Sequence, residues 1–404
     1  MHSPLAGKHI VLCVTGSIAA YKAVQFARLC LKAGASVQPV MTKAAMEFVG
    51  PTTFSGICGK PVLHQMWDGG VTSGEVHVDV AAKADIVAIV PATADVLARL
   101  AHGRADDMVT AISLCTRAPM VLAPAMHPRM WENAATQRNV ELLRADPRIT
   151  FAGPTTGVVA SGDDGMGRML EPEEIFACLE RHLLSGDFAG VHMLVTAGPT
   201  QEAIDPVRYL GNRSSGKMGF AIARLAALRG ANVKLIAGPV ELKTPFGVER
   251  IDVTSAAEMR AKVLEHASAS NVVIMAAAVA DFRPAAPSPT KIKKAKGPLP
   301  TVALAENPDI LAEVGASFGP SKPGGPFLVG FALETGTDEE VIAYAQQKRE
   351  RKNVHLVVAN HAAEALGKDT NRIFLVDGSS VETLDPADKT TLAGILLDRI
   401  RARL

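Results

Sequence analysis

Gly211-Asn212-Arg213-Ser214-Ser215-Gly216-Lys217-Met218-Gly219 closes a polar stretch that opens at Gly198-Pro199-Thr200, just after the apolar run Met193-Leu194-Val195-Thr196. A strand ending in Gly-Pro, a long polar loop and a glycine-rich start to a helix together make a place to hold an anion. The first N–H groups of a helix point outward unpaired, and glycine lets a phosphate approach them closely. The chain opens with a second version of the same device. There the apolar run Ile10–Val14 meets Thr15-Gly16-Ser17, followed by a helical pattern over 18–33. Two such turns, far apart in the chain, point to two nucleotide-type sites.

Size and composition agree. A chain of 404 residues exceeds what one hydrophobic core usually serves, so two domains are expected. A net charge of +1 argues against a dedicated nucleic-acid or membrane-surface protein, which needs a basic excess. Ample apolar content with few aromatics is the usage of a compact α/β enzyme. The five cysteines lie far apart and form no CxxC pair. Cys13 and Cys115 fall inside apolar runs and read as buried, inert thiols. There is no charged leader ahead of an apolar segment and no run long enough to cross a bilayer, so a cytoplasmic setting is expected.

Short apolar runs alternate with helical patterns throughout. Strands are expected over 10–14, 36–40, 85–90, 120–123 and 149–152, with helices over 18–33, 93–101, 105–115 and 131–144. Glu171-Pro172-Glu173-Glu174 starts a closing helix, with proline in the first turn and acids at the positive dipole end. Ser185 to Gly190 reads as a linker. The alternation then restarts with strands over 191–195, 232–237, 272–276, 327–331, 354–358 and 373–376, and helices over 217–229, 255–269, 308–316, 338–351 and 388–402. Runs apolar on both faces and separated by helices imply parallel sheets covered on both sides. Loops rich in Pro, Gly, Ser and Lys are expected at 284–300 and 319–326, and no internal repeat appears.

The glycine motifs match no standard fingerprint. No GxGxxG occurs, and the P-loop-like Gly211-xxxx-Gly216-Lys217 continues with Met218 where a magnesium-binding Ser or Thr belongs. An ordinary Ser- and Gly-rich helix start stays open as the reading of that segment alone. Its neighbours favour a ligand. Arg208 lies just upstream, Ala276-Ala277-Ala278-Val279-Ala280-Asp281 follows a buried strand, and Lys291-Ile292-Lys293-Lys294-Ala295-Lys296 lies in the loop beyond. Lysine clusters usually face solvent; this one sits past the carboxyl end of a strand, where open α/β sheets bind ligands. Lys348 and Lys352, one helical turn apart, add charge. In the first half, Gly16-Ser17-Ile18 and Pro91-Ala92-Thr93-Ala94-Asp95 offer amides and polar groups, and the alternative for each is a plain helix cap.

GPTQEAIDPVRYLGNRSSGKMG, AAAVADF, KIKK, ENPDIL and GFALET, in this order, resemble the phosphopantothenate–cysteine ligase family. TGSIAAYKA, VPATAD and PAMHPRMW resemble the phosphopantothenoylcysteine decarboxylase family, and the whole chain resembles the bifunctional enzymes of bacterial coenzyme A biosynthesis. The resemblance implies two Rossmann-like parallel-sheet domains: a flavodoxin-like, FMN-binding decarboxylase domain over 1–185 and a CTP-dependent ligase domain over 186–404. It implies that CTP activates the carboxylate of phosphopantothenate as an acyl-cytidylate, with Mg2+ on the phosphates, before cysteine attacks. Asn212 would position the acyl group with Arg208 near it, and Lys291 would meet the triphosphate. Met275, Ala276, Ala277, Ala278, Asp281, Asn307, Pro308, Asp309, Ile310, Phe331, Lys348 and Lys352 would line the nucleotide site. In the first half Gly16, Ser17, Ile18, Thr42, Pro91, Ala92, Thr93 and Asp95 would hold FMN, and His77 would act beside the thiol and the flavin. Trimeric flavin domains, paired ligase domains and only small-molecule partners are further implications.

Two positions depart from the family pattern. His127 stands where relatives carry the Asn that holds the substrate carboxylate, and imidazole can still donate a hydrogen bond. Ser161 stands where many relatives carry a proton-delivering Cys, and a hydroxyl is a far weaker acid than a thiol. Arg213, where relatives often carry His, is a minor departure. The loop's glycines and Arg168 suit a flexible lid. The alternatives are an active ligase fused to an impaired flavin domain, and an NAD(P)-dependent two-lobed reductase.

Overall fold

A computed structural model describes residues 4–66, 75–184, 186–293, 301–322, 324–365, 368 and 370–404. The chain divides into two compact units, His2–Ser185 and Gly186–Leu404. Of the sequence expectations, Gly74 ahead of the His77 segment, Ser185 of the linker, Lys294 and Lys296 of the lysine cluster, and Pro323 of the second loop lie outside the described residues.

The first unit is built on β1 (His9–Val14), β2 (Ser36–Met41), β3 (Ile86–Ala92), β4 (Met120–Pro124) and β5 (Ile149–Phe151). They form one sheet in the order β2-β1-β3-β4-β5, every pair parallel. All of β3 and all but the first residue of β1 are buried, which is why they read as unbroken apolar runs. The chain runs from β1 outward to β2, then back across to β3. The turns after β1 and β3 therefore meet at the switch point where such sheets bind ligands.

Helices Ala20–Lys32, Ala94–Ala101, Met108–Cys115 and Pro172–Leu183 fall where expected. The last opens with the reciprocal Glu171–Glu174 capping box and Pro172 in its first turn. The helix expected over 131–144 is two, Pro128–Trp131 and Ala134–Arg144, because Asn133 caps the second through Ala135 N (2.9 Å). Short helices at Lys43–Met46 and Pro51–Cys58 were not anticipated, and Val76–Lys83 begins earlier than the helical 80–82 read from the sequence. Nor was the antiparallel hairpin of β6 (Thr155–Val158) and β7 (Asp164–Arg168), which stands where a loop was expected. Cys115 corrects another expectation: it ends its helix and is exposed, whereas Cys13 is fully buried. Burial pushes the Cys178 thiol up to about 11.

The second unit contains β8 (His192–Ala197), β9 (Gln201–Ala203), β10 (Tyr209–Gly211), β11 (Asn232–Ala237), β12 (Val248–Asp252), β13 (Val272–Met275), β14 (Phe282–Pro284), β15 (Leu304–Glu306), β16 (Phe327–Glu334), β17 (Leu356–His361), β18 (Thr370–Val376) and β19 (Val381–Asp388). Eight of them form a sheet in the order β12-β11-β8-β13-β16-β17-β18-β19. Pairing is parallel as far as β17, and β18 and β19 add an antiparallel edge to the expected parallel sheet. Helix Lys217–Leu228 and the closing helix Lys389–Arg401 cover one face together, with Phe220, Leu392 and Leu396 in a shared core. Met259, Val314 and Val341 bring three further helices onto the other face. The switch point again lies between the first strand and the one that crosses back, here β8 and β13. Thr196 Oγ1 accepts from Ala277 N (3.1 Å) and Gly198 O from Ala278 N (2.9 Å), so the two loops leaving those strands are tied together.

Candidate functional site

In the first unit a cavity of about 720 Å³ opens at the switch point, a volume suited to a drug-sized or cofactor ligand. Gly16, Ser17, Thr42, Thr93 and Asp95 of the expected set line it, and Lys43, Arg99 and Met126 join them. Gly16 is there for close approach: a Cβ on it would fall 2.5 Å from the Cβ of Ala44 on the facing wall. The helix that follows, Ala20–Lys32, carries no side-chain cap, although Ala20 N donates to Ser17 O at 2.9 Å and Lys22 N to Ala19 O at 3.0 Å. Thr42 and Thr93 are themselves caps, accepting from Ala45 N (3.2 Å) and Val96 N (3.3 Å). Pro91 and Ala92 are buried at the end of β3, and the Pro91 carbonyl accepts from Thr15 Oγ1 at 2.7 Å, locking the two turns together. Asp95 is paired with Arg99 at 3.0 Å. Ile18 is 62% exposed and does not line the cavity.

The three residues expected to do chemistry are only partly brought together. His77 lies in the first turn of Val76–Lys83 and is not part of the cavity lining. His127 and Ser161 meet on one carboxylate instead. His127 Nε2 lies 2.8 Å from Asp163 Oδ2, and Ser161 Oγ donates to the same oxygen at 2.7 Å. His127 Nδ1 accepts from Arg129 N at 3.2 Å, so the neutral ring carries its proton on Nε2 and donates it to Asp163. Neither ring nitrogen is left for a substrate carboxylate, a change from the sequence expectation. Asp163, which sequence reading passed over, is thus the knot that ties the β6–β7 turn to the Pro124–Pro128 segment. Gly167 allows that contact, since a Cβ there would lie 2.5 Å from Met126 O.

The hydrogen bonds from His127 and Ser161 hold the Asp163 carboxyl below its ordinary value. A carboxyl lowered in the folded state contributes above its unfolded value, about 3.9, and loses that contribution as the pH falls through the lower folded value. The Asp163 carboxylate's contribution should therefore weaken only below about pH 4. Asp163→Ala is expected to free the turn and to cut the decarboxylation that the sequence resemblance implies about tenfold at neutral pH, a typical cost of losing one positioned hydrogen-bonding group. Carbon dioxide release checks this, with ligation by the same preparation unchanged.

In the second unit a cavity of about 800 Å³ occupies the corresponding place. Asn212, Met275 to Ala278, Asp281, Asn307 to Ile310, Phe331, Lys348 and Lys352 all line it. Helix Lys217–Leu228 starts from Gly216 in the left-handed conformation (φ 73°) with no side-chain cap. A Cβ on Gly219 would meet the Cβ of Ala197 at 2.5 Å, so this glycine lets the helix lie against β8. Asn212 Nδ2 donates to both Ala278 O and Val279 O at 3.2 Å. Asn307 Nδ2 donates to Ala280 O at 2.8 Å, fixing the ENP turn to the AAAVAD loop.

Arg208 and Lys291 do not line the cavity. Arg208 pairs with buried Asp205 at 2.7 Å and donates to Ile292 O at 2.5 Å, so it fastens the 288–292 segment. Burial alone would raise the Asp205 carboxyl, but backbone N–H groups of Val207, Ile292 and Arg208, with the Arg208 guanidinium, bring it down to about 2.

The charges in this cavity are unusual for a surface cleft. Burial pushes the Lys348 ammonium down, opposed by Glu334 and Asp281, while burial raises the Glu334 carboxyl against the pull of Lys348. Lys352 is ion-paired with Asp309. A half-buried ammonium facing a cleft can partner an anion or a carbonyl-type acceptor. Glu334, Tyr344, Asn360, Asn371 and Lys389 also line the cavity and escaped sequence reading, because they arrive from separate strand ends and helices. Among the described residues no three His, Cys, Asp or Glu side chains come together as metal ligands, and no helix is long and apolar enough to cross a membrane.

Residues 188–404 match the family described as the DNA/pantothenate metabolism flavoprotein C-terminal domain, and residues 2–184 match the family described as Flavoprotein. The chain is 42% identical over 404 residues to the coenzyme A biosynthesis bifunctional protein CoaBC of Vibrio cholerae, covering 99% of each. It is 44% identical over 407 residues to the protein of the same name from Escherichia coli, covering 99% of this chain and 98% of that one. A crystal structure of the C-terminal domain of a coenzyme A biosynthesis bifunctional protein CoaBC is 35% identical, with a TM-score of 0.45, and spans 54% of this chain and 98% of its own.

Proposed function

The chain belongs to the family of coenzyme A biosynthesis bifunctional proteins, and on that footing we propose how its two units divide the work. It is an enzyme with two activities, phosphopantothenate–cysteine ligase and phosphopantothenoylcysteine decarboxylase. Residues 186–404 carry the ligation with CTP, and residues 1–185 the decarboxylation with FMN. The observation that supports this most is the pair of separate cavities, each at the switch point of its own sheet and beside a helix without a side-chain cap.

For ligation, a carboxylate is a poor electrophile until one oxygen becomes part of a good leaving group. Its oxygen attacks the α-phosphorus of CTP, pyrophosphate departs, and the amine of cysteine then displaces CMP from the acyl carbon. Both Nδ2 hydrogens of Asn212 are committed to backbone carbonyls, so its Oδ1 is the end presented to ligand. An acceptor suits the incoming ammonium or amine of cysteine. Lys348 and Lys352 would meet the nucleotide, and Mg2+ would ride on its phosphates.

For decarboxylation, the volume of the cavity and the close-approach turn at Gly16 fit a flavin mononucleotide with its phosphate at that turn. A bound flavin supplies two-electron oxidation of the substrate's thiol end and return of the hydride. The chain's own part is to seat the phosphate, while Asp163 fixes the β6–β7 turn against His127, and His77, outside the lining of this cavity, is the candidate for proton transfer. Trimeric association of the flavin units and pairing of the ligase units belong to the same reading, and sedimentation would test them.

Pyrophosphate release from CTP that requires phosphopantothenate, with carbon dioxide release from phosphopantothenoylcysteine by yellow protein, is the expected outcome. CTP turnover indifferent to phosphopantothenate would overturn the ligase assignment. A yellow protein that releases no carbon dioxide would overturn the other half.

A further inference from the structure

Asp205 stands in the turn that joins β9 to β10, and its side chain has no exposed surface. Oδ1 accepts from Val207 N and Arg208 N, each at 2.8 Å, and so shapes the turn. Oδ2 accepts from Arg208 Nε at 3.0 Å and, from far along the chain, from Ile292 N at 3.1 Å. Arg208 grips the same residue through Ile292 O at 2.5 Å, and Ser288 N donates to Ile204 O at 2.9 Å. The hairpin turn and the 288–292 segment are thereby clasped, with the carboxylate at the centre. The turn alone does not require a charge, because one oxygen meets both of its amides and asparagine makes such turns equally well. Burying a carboxylate is costly unless its remaining lone pairs find partners, and here those partners lie in the second segment.

The two ends of the clasp lead to different parts of the site. β10 ends at Gly211, and the next residue, Asn212, lines the cavity with Nδ2 on Ala278 O and Val279 O. Ile292 follows Lys291, which is exposed and does not line the cavity. A lysine stem is long and flexible, so the reach of its ammonium depends on where its backbone is held. The hydrogen bond to the very next N–H holds it. Asn212 and Lys291 therefore share one anchor, and it touches neither side chain.

We infer that Asp205 is a positioning residue of the ligase reaction: through Ile292 it fixes the backbone of Lys291 relative to Asn212, so that ammonium and amide reach the same bound acyl nucleotide. This rests on the reading of Lys291 as a cation that meets the nucleotide, and on the CTP reading above. Asp205 itself contacts no substrate. With the clasp open, the 288–292 segment would have to be ordered again at each productive encounter, and that entropy would be added to the barrier.

The test is a double-mutant cycle in the full-length protein with Asp205→Asn, Lys291→Ala and the two combined. The readout is kcat and KM for CTP in pyrophosphate release that requires phosphopantothenate. Asparagine keeps an oxygen for the two turn amides and sets an NH2 against Arg208 and Ile292 N, so the turn stays and the clasp opens. Each single variant should lose about tenfold or more in kcat/KM, and the double variant should match Lys291→Ala within about twofold. Carbon dioxide release by the same preparations should be unchanged. Losses that multiply in the double variant overturn the inference, because Asp205 would then act on the fold and not through Lys291. Asp205→Asn at the wild-type rate overturns it as well, and leaves the reading of Lys291 standing. Lys291→Ala at the wild-type rate overturns that reading and this inference with it. Where Asp205→Asn fails to fold, Ile292→Pro takes its place in the cycle with the same expected pattern, since proline removes the N–H that the carboxylate accepts and leaves the hairpin turn untouched.

Discussion

Asn212→Asp is expected to slow amide formation by roughly 100- to 1,000-fold while leaving CTP affinity within a few-fold of wild type, the loss anticipated when paired hydrogen bonds at a reacting centre are turned into repulsion. The wild-type Nδ2 donates to two carbonyl oxygens, Ala278 O and Val279 O, each at 3.2 Å. Aspartate of the same shape would set an oxygen against both, so the side chain must leave and its outer oxygen no longer meets the incoming amine. The loop itself should stay. Ala277 N is held by Thr196 Oγ1 at 3.1 Å and Ala280 N by Thr200 Oγ1 at 2.9 Å, contacts the substitution does not touch. Rapid quenching with labelled CTP should show about one equivalent of pyrophosphate per site with the acyl-cytidylate persisting. A parallel loss of CTP binding would instead make Asn212 a nucleotide-binding residue. Carbon dioxide release by the same preparation serves as the control.

Much of this was legible in the chain because parallel strands buried on both faces need continuous apolar runs. Ile10–Val14, 193–197 and Val272–Met275 announce themselves that way, and the glycine turns after the first two mark the switch points. What escaped has other physics. β12 and β19 are half-exposed, with polar residues scattered through VERID and VETLDPAD, so no run stands out. Val76-His77-Val78-Asp79-Val80 alternates like a strand yet is helical, and Pro51–Cys58 is helical despite its β-branched residues and glycine. Pro51 at its start and the fully buried Phe54 outweigh that weak propensity. The site divides along the same line. Residues next to the glycine turns were found, while Glu334, Asn360, Asn371 and Lys389 reach the cavity only through tertiary packing. Asp163 shows the limit most clearly. Nothing about it in the chain reveals that it gathers His127 and Ser161 on one carboxylate oxygen.

Gly16→Val is expected to yield nearly colourless protein, with flavin affinity lowered about 100-fold or more and decarboxylation lost, while ligation stays at wild-type level. A Cβ at this position already falls 2.5 Å from Ala44 Cβ, 3.1 Å from Ala44 C and 3.2 Å from Ala44 O, and valine adds two methyl groups beyond it. The facing wall cannot retreat. Thr42 N donates to Val14 O at 3.1 Å and Met41 N to Leu63 O at 2.9 Å, fixing the backbone just ahead of Ala44. The glycine turn must therefore move into the cavity, where the phosphate would sit. Relief of such overpacking typically costs about 1–3 kcal/mol, which displaces a loop without unfolding a unit whose sheet is buried elsewhere. Absorbance of the purified protein and titration with added flavin check the result. Full colour with normal carbon dioxide release would show that this turn does not seat the phosphate. Colourless protein that still forms the amide bond is the mirror image of the Asn212→Asp result. Together they would show that each cavity works with its own ligand, so that losing one reaction leaves the other's chemistry intact.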